Sequence, residues 1–211
     1  MSVPTHRGAS GNTPVFAGKF IQGRLAGFEK DMKICLTPAN LEVGSGVTHA
    51  YFPALSACCG TLEYLTALYR GNTNGIGWQQ IADFADRYLP QPDFDRGTMR
   101  VLFEALRHPV AHRGIASGIW VDRNHGPGRG RRLTWHISAD AKRPACEVVA
   151  EVGQLTRDPP WHCRYTHRVH IHLRTLWTDI RNAATMYSKE IARNHKLQAN
   201  FEDCMRQLYP T

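Results

Sequence analysis

Apolar residues recur every third or fourth position along much of this chain, the spacing that lines one face of a helix. It predicts a helix over 15–37, "VFAGKFIQGRLAGFEKDMKICLT", weakened by its glycines and stopped by Pro38. A second is expected over 51–72, with Pro53 in its first turn and Gly71-Asn72 as its stop. A third covers 77–90, with Ile81, Phe84, Ala85 and Tyr88 on one face. A fourth covers 94–107, with Met99, Leu102, Phe103 and Leu106 inward. The period then changes. "SGIWVD" (117–122) and "RLTWHIS" (132–138) read as strands around the loop "RNHGPGRGR", and "CEVVAEV" (146–152) is a third candidate strand. Helical spacing returns in the longest predicted helix, 162–194, striped by Val169, Leu173, Leu176, Trp177, Ile180, Ala184, Tyr187 and Ile191. A short helix follows over 197–208.

This order predicts a mainly α fold: a helical bundle with a small two- to three-stranded β insert at about 116–153. No internal repeat or long linker divides the chain. Residues 14–211 therefore read as one helical domain behind a flexible polar tail, residues 1–13.

Composition narrows the class. Of 211 residues, 42% are hydrophobic and 21% charged, a globular profile and not a disordered one. No apolar run approaches the roughly 18 residues of a membrane helix, and the N-terminus lacks a signal-peptide pattern. Six cysteines are scattered without a CxxC. Cys58 and Cys59 fall inside an apolar helical pattern, so they are expected as buried thiols, and the cytoplasm is the expected compartment. The net charge of +8 is carried mostly by arginine, which suits phosphate and points to RNA or DNA.

The stretch "FEALRHPVAHRG", 103–114, carries the sharpest candidate chemistry. Pro109 lacks a backbone N–H and disfavours helix at His108, so the fourth helix is expected to end or kink near Arg107. In an unbroken helix, residues five apart point roughly 140° away from each other. A break would let Arg107 and His112 face one cleft. Arginine is a permanent fork for phosphate oxygens, and histidine moves protons near neutral pH. Together they suit attack of a ribose 2′-hydroxyl on the adjacent phosphorus, without a cofactor. Arg-x4-His spacing also occurs at Arg131/His136 and Arg157/His162. Only Arg107/His112 has both a preceding amphipathic helix and a suitable polar neighbour, His108.

Arg107-His108-Pro109-Val110-Ala111-His112 resembles the signature of the HEPN superfamily. The resemblance covers six residues closely and the helical context from about 50 to 208 loosely. It implies an all-α bundle, a homodimer that pools two motifs in one cleft, and often metal-independent endoribonuclease activity in toxin–antitoxin, defence or RNA-processing systems. By that resemblance Arg107 and His112 are catalytic and His108 supports them. It also implies an antitoxin or nucleotidyltransferase partner. The tyrosine that a nucleotidyltransferase modifies in some such toxins is replaced here by Gly114, so that regulation is not expected. A catalytically silent HEPN-like module binding nucleic acid, nucleotide or a partner protein is the alternative.

Other features are open at this level. Arg113, Arg123, Arg129, Arg131 and Arg132 are candidate nucleic-acid contacts, the last four along a glycine-rich loop that can track a phosphate backbone. Trp120 and Trp135 either stack bases or, more commonly, pack on the bundle. On a helix, Cys163, His167 and His170 would share one face, a weak third reading as a metal site. Lacking an evident fourth ligand, no metal site is assigned. Glu63 interrupts an apolar run and is either exposed, paired with Arg107 or orienting His112.

Overall fold

The computed structural model describes residues 13–37, 50–113, 116, 118–123, 130–155 and 163–210. The expected polar tail lies outside these residues except for Thr13, which is no tail residue: it is buried and opens α1 (Thr13–Cys35). Its hydroxyl donates to Glu202, 2.5 Å away.

Helix ends follow local chemistry. α2 (Tyr51–Arg70) stops at Gly71, whose φ of 74° is left-handed and whose N–H bonds the Ala67 carbonyl. A Cβ at Gly71 would come within 2.9 Å of the Asn200 Cα, so space as well as backbone requires glycine there. α3 (Trp78–Tyr88) starts at Gly77, whose N–H donates to the Gln80 side chain. Asp95 caps α4 (Arg96–Arg100) by accepting from the Thr98 N–H. The expected inward faces of the third and fourth helices are all buried: Ile81, Phe84, Ala85, Tyr88, then Met99, Leu102, Phe103 and Leu106.

The β part is larger than the sequence suggests. Four strands, β1 (Trp120–Val121), β2 (Arg132–Ser138), β3 (Cys146–Gln154) and β4 (Arg164–His172), form a mixed sheet in the order β1-β2-β4-β3. β2 runs parallel to β4, and the other pairs are antiparallel. β4 comes from the stretch expected to start the longest helix. In "RYTHRVHIH" the deeply buried residues Tyr165, Val169 and Ile171 sit at even spacing, a period of two with β-branched members, and this period wins. Helix begins only at α6 (Leu173–Ile191), and α7 (His195–Leu208) follows from Asn194, which caps it. The sheet therefore extends past the expected insert boundary to His172.

One face of the sheet packs on the helices. Leu133, Ile137, Cys146, Val169 and Ile171 join the cluster that holds Ile21 of α1, Leu55 of α2, Phe84 of α3, Ile180 of α6 and Phe201 of α7. A bulge shifts the β3–β4 register between Ala150/His167 and Gly153/Tyr165. Tyr165 lies over Gly153 so closely that a Cβ there would collide with its hydroxyl. No described helix is long and apolar enough to cross a membrane.

Candidate active site

Pro109 does not end its helix. After α4, a π-helical stretch (Val101–Arg107) leads without interruption into α5 (His108–Arg113). His108 itself is helical, with φ −62° and ψ −51°. In an ordinary α-helix the proline ring would collide with the carbonyl four residues back, that of Ala105, and one hydrogen bond would be lost. Here the bonding steps to the fifth residue: the His108 N–H donates to the Phe103 carbonyl. The wider turn accommodates the ring and the helix continues, so the expected break is replaced by a local widening.

That geometry sorts the motif into two pairs. The Arg107 Nη2 donates to Glu63 Oε2 at 2.7 Å, bridging the π-helical stretch to α2. The Arg107 and Glu63 side chains are 25% and 27% exposed. One helical turn separates His108 from His112, and their rings lie 4.6 Å apart between centroids at 63°. Both histidines are exposed. Among the described residues Arg107 and His112 make no direct contact, and because the helix runs on unbroken, side chains five apart point well away from each other, so the break expected to turn both into one cleft does not occur. Glu63, which the sequence leaves between three readings, is the partner of Arg107. Below it, burial pushes the Cys59 thiol well up, and burial raises Cys58 too, so both stay protonated and pack as core residues.

The arginines expected to meet nucleic acid divide. Arg123 and Arg132 are exposed. Arg113 ends α5, and Arg129 lies outside the described residues. Arg131 turns inward instead: its Nη2 lies 3.3 Å from Asp122, which also accepts from Arg100 at 2.5 Å. Asp122 is 1% exposed, so this carboxylate pulls Arg131 back onto the fold. The tryptophans pack. Trp135 meets Phe52 edge-on with centroids 5.2 Å apart, and Trp120 lies under the Arg100 guanidinium at 5.8 Å.

The histidine-rich stretch changes meaning once it is a strand. Side chains alternate, so His167 and His170 leave on opposite faces of β4 and the helical ligand set with Cys163 does not form. Among the described residues no group of three metal-ligating side chains could hold a metal ion. His172 is buried, with its Nδ1 2.9 Å from the Ser138 hydroxyl, and burial holds its imidazole below the usual range. Burial, then the nearby Arg131, does the same to His167. Reading the sequence misses one juxtaposition: His136 of β2 and His170 of β4 are register partners with ring centroids 5.5 Å apart. The signal available was the alternation of "HIS" and "HIH" on two strands.

Compared with known proteins, the chain matches no family model, no curated protein and no solved structure.

Proposed function

We propose that this protein is a HEPN-like, metal-independent endoribonuclease, working as a homodimer that pools two motifs. One observation carries the reading: Arg107, steadied by Glu63 at 2.7 Å and still a quarter exposed, is followed on the same helical rod by an exposed pair of histidines in edge-on contact, His108 and His112. A guanidinium has five N–H donors, so one bond to Glu63 leaves others for a phosphate. In the proposed reaction the 2′-oxygen bonds to phosphorus and the bond from phosphorus to the 5′-oxygen breaks. His112 moves the proton, His108 assists as the neighbouring carrier, and Arg107 offsets the charge of the phosphorane. The products are a 2′,3′-cyclic phosphate and a 5′-hydroxyl. An antitoxin partner and a role in defence belong to the same proposal.

A second reading has its own support. Glu63 already offsets part of the Arg107 charge, as expected of an interhelical strut in a catalytically silent binding module. Incubation with single-stranded RNA in excess chelator separates the two. The nuclease reading expects cleavage by the wild type and a loss of at least about a hundredfold in Arg107→Ala and in His112→Ala. Inert wild-type protein that still binds the RNA supports the silent module, and activity abolished by chelator overturns the metal-independent mechanism.

A further inference from the structure

The face of the sheet turned away from the helical core carries a row of basic side chains that neither the core nor the Arg107 motif uses. Alternation along β2 and β4 sets Arg132 and His136 beside Arg164, Arg168 and His170, opposite in direction to Leu133, Ile137, Val169 and Ile171. The register pairs His136 with His170 directly. The carboxylates of this face, Glu147 and Glu151, lie on β3, so positive groups hold the two central strands and acidic ones a single edge. Glu151 steadies the row from that side: Oε1 accepts from Arg168 at 2.8 Å, and Oε2 is 3.9 Å from His170 Nε2. The Tyr165 hydroxyl adds a 3.1 Å bond to Glu151.

Two imidazoles 5.5 Å apart, flanked by the permanently charged guanidinium groups of Arg132, Arg164 and Arg168, offer N–H donors and positive charge to an anion lying along this face. The row is two strands wide, about 5 Å of spacing, which fits one extended phosphate chain and not a duplex. Both tryptophans on β1 and β2 are engaged in packing contacts, so backbone contact dominates over base stacking.

We infer that the open sheet face, centred on His136 and His170, binds the phosphate backbone of single-stranded RNA. It shares its ligand class with the proposed nuclease reading but rests on different residues. Binding there is sequence-independent and weakens with salt.

The test uses fluorescence anisotropy with a labelled 2′-O-methyl oligouridine, which lacks the attacking hydroxyl and stays intact. His136→Ala/His170→Ala is compared with Lys30→Ala/Lys189→Ala, which removes charge from exposed helical positions elsewhere. The expected result is about tenfold weaker binding for the histidine variant and under about twofold for the lysine variant, with thermal melts confirming that both fold. Equal losses in the two variants overturn the inference. RNA cleavage that depends on Arg107 but strand binding indifferent to His136 and His170 sinks the sheet site alone. Sheet-dependent binding without any cleavage sinks the nuclease reading alone.

Discussion

Two guanidinium groups converge on Asp122, Arg100 at 2.5 Å and Arg131 at 3.3 Å, and the carboxylate is all but inaccessible. Removing one partner of a buried ion pair leaves uncompensated charge and costs about 3 kcal/mol. Asp122→Ala is therefore expected to lower Tm by roughly 6 to 12 °C in a thermal melt. An unchanged Tm would show the pair to be incidental. Glu63 behaves differently, because its pair with Arg107 is partly open to water and contributes at most about 1 kcal/mol. Glu63→Gln should leave the melt nearly unmoved while slowing RNA cleavage at least about tenfold, since it frees the guanidinium from its fixed position. Full activity in that variant would make the pair a strut and nothing more. These two carboxylates also mark what a sequence discloses at this scale. Glu63 is visible as a polar break in an apolar helix. The inward turn of Arg131 is not, because the geometry that lets Asp122 gather Arg131 from its own hairpin and Arg100 from a helix exists only after the chain folds.

At the scale of elements, the π-helical stretch is the device that carries Arg107 and the histidines on one rod past a proline. Pro109→Ala removes the ring that favours the wider turn. The helix should then revert to ordinary bonding, rotating Arg107 relative to His112 by about one residue. The expected outcome is a melt that holds or rises together with a clear loss of cleavage, and retention of full activity would separate the motif from the π turn. Pro109 is plain in the sequence, but the chain's answer to it, widening and not stopping, depends on tertiary packing that keeps the helix going. β4 was obscured for a related reason. Val169 lies in helical step with Leu173 and Trp177, so one stripe spans a strand and the helix after it. The alternation of Tyr165, Val169 and Ile171 was the discriminating signal. The helices with capping glycines or polar caps, α2 and α3 above all, were legible almost to the residue because their ends are set locally by Gly71 and Gly77.

For the whole molecule, acid should be the weak direction. Burial holds His172 below its ordinary value of 6.5, among Asp140, His170, Lys142 and Glu147, so the folded state prefers it neutral. Its contribution to stability is complete above that value and is lost as pH falls through the depressed folded value. Hydrogen bonding from Arg87 holds the Glu190 carboxyl below its ordinary 4.5, so its contribution is complete above 4.5 and lost on further acidification. Melts across pH should show a plateau near neutrality, then a decline. His172→Gln, which keeps a hydrogen-bonding group near Ser138, should flatten the first part of that decline, and an unaltered profile would remove His172 from the explanation.

The central claim concerns bond-making at phosphorus, and the ends of the products report it most directly. Mass spectrometry of RNA fragments formed in excess chelator should find 2′,3′-cyclic phosphate and 5′-hydroxyl ends with the wild type, and intact RNA with Arg107→Ala and His112→Ala. Intact RNA with the wild type, fragments ending in 5′-phosphate, or cleavage indifferent to both substitutions would contradict it.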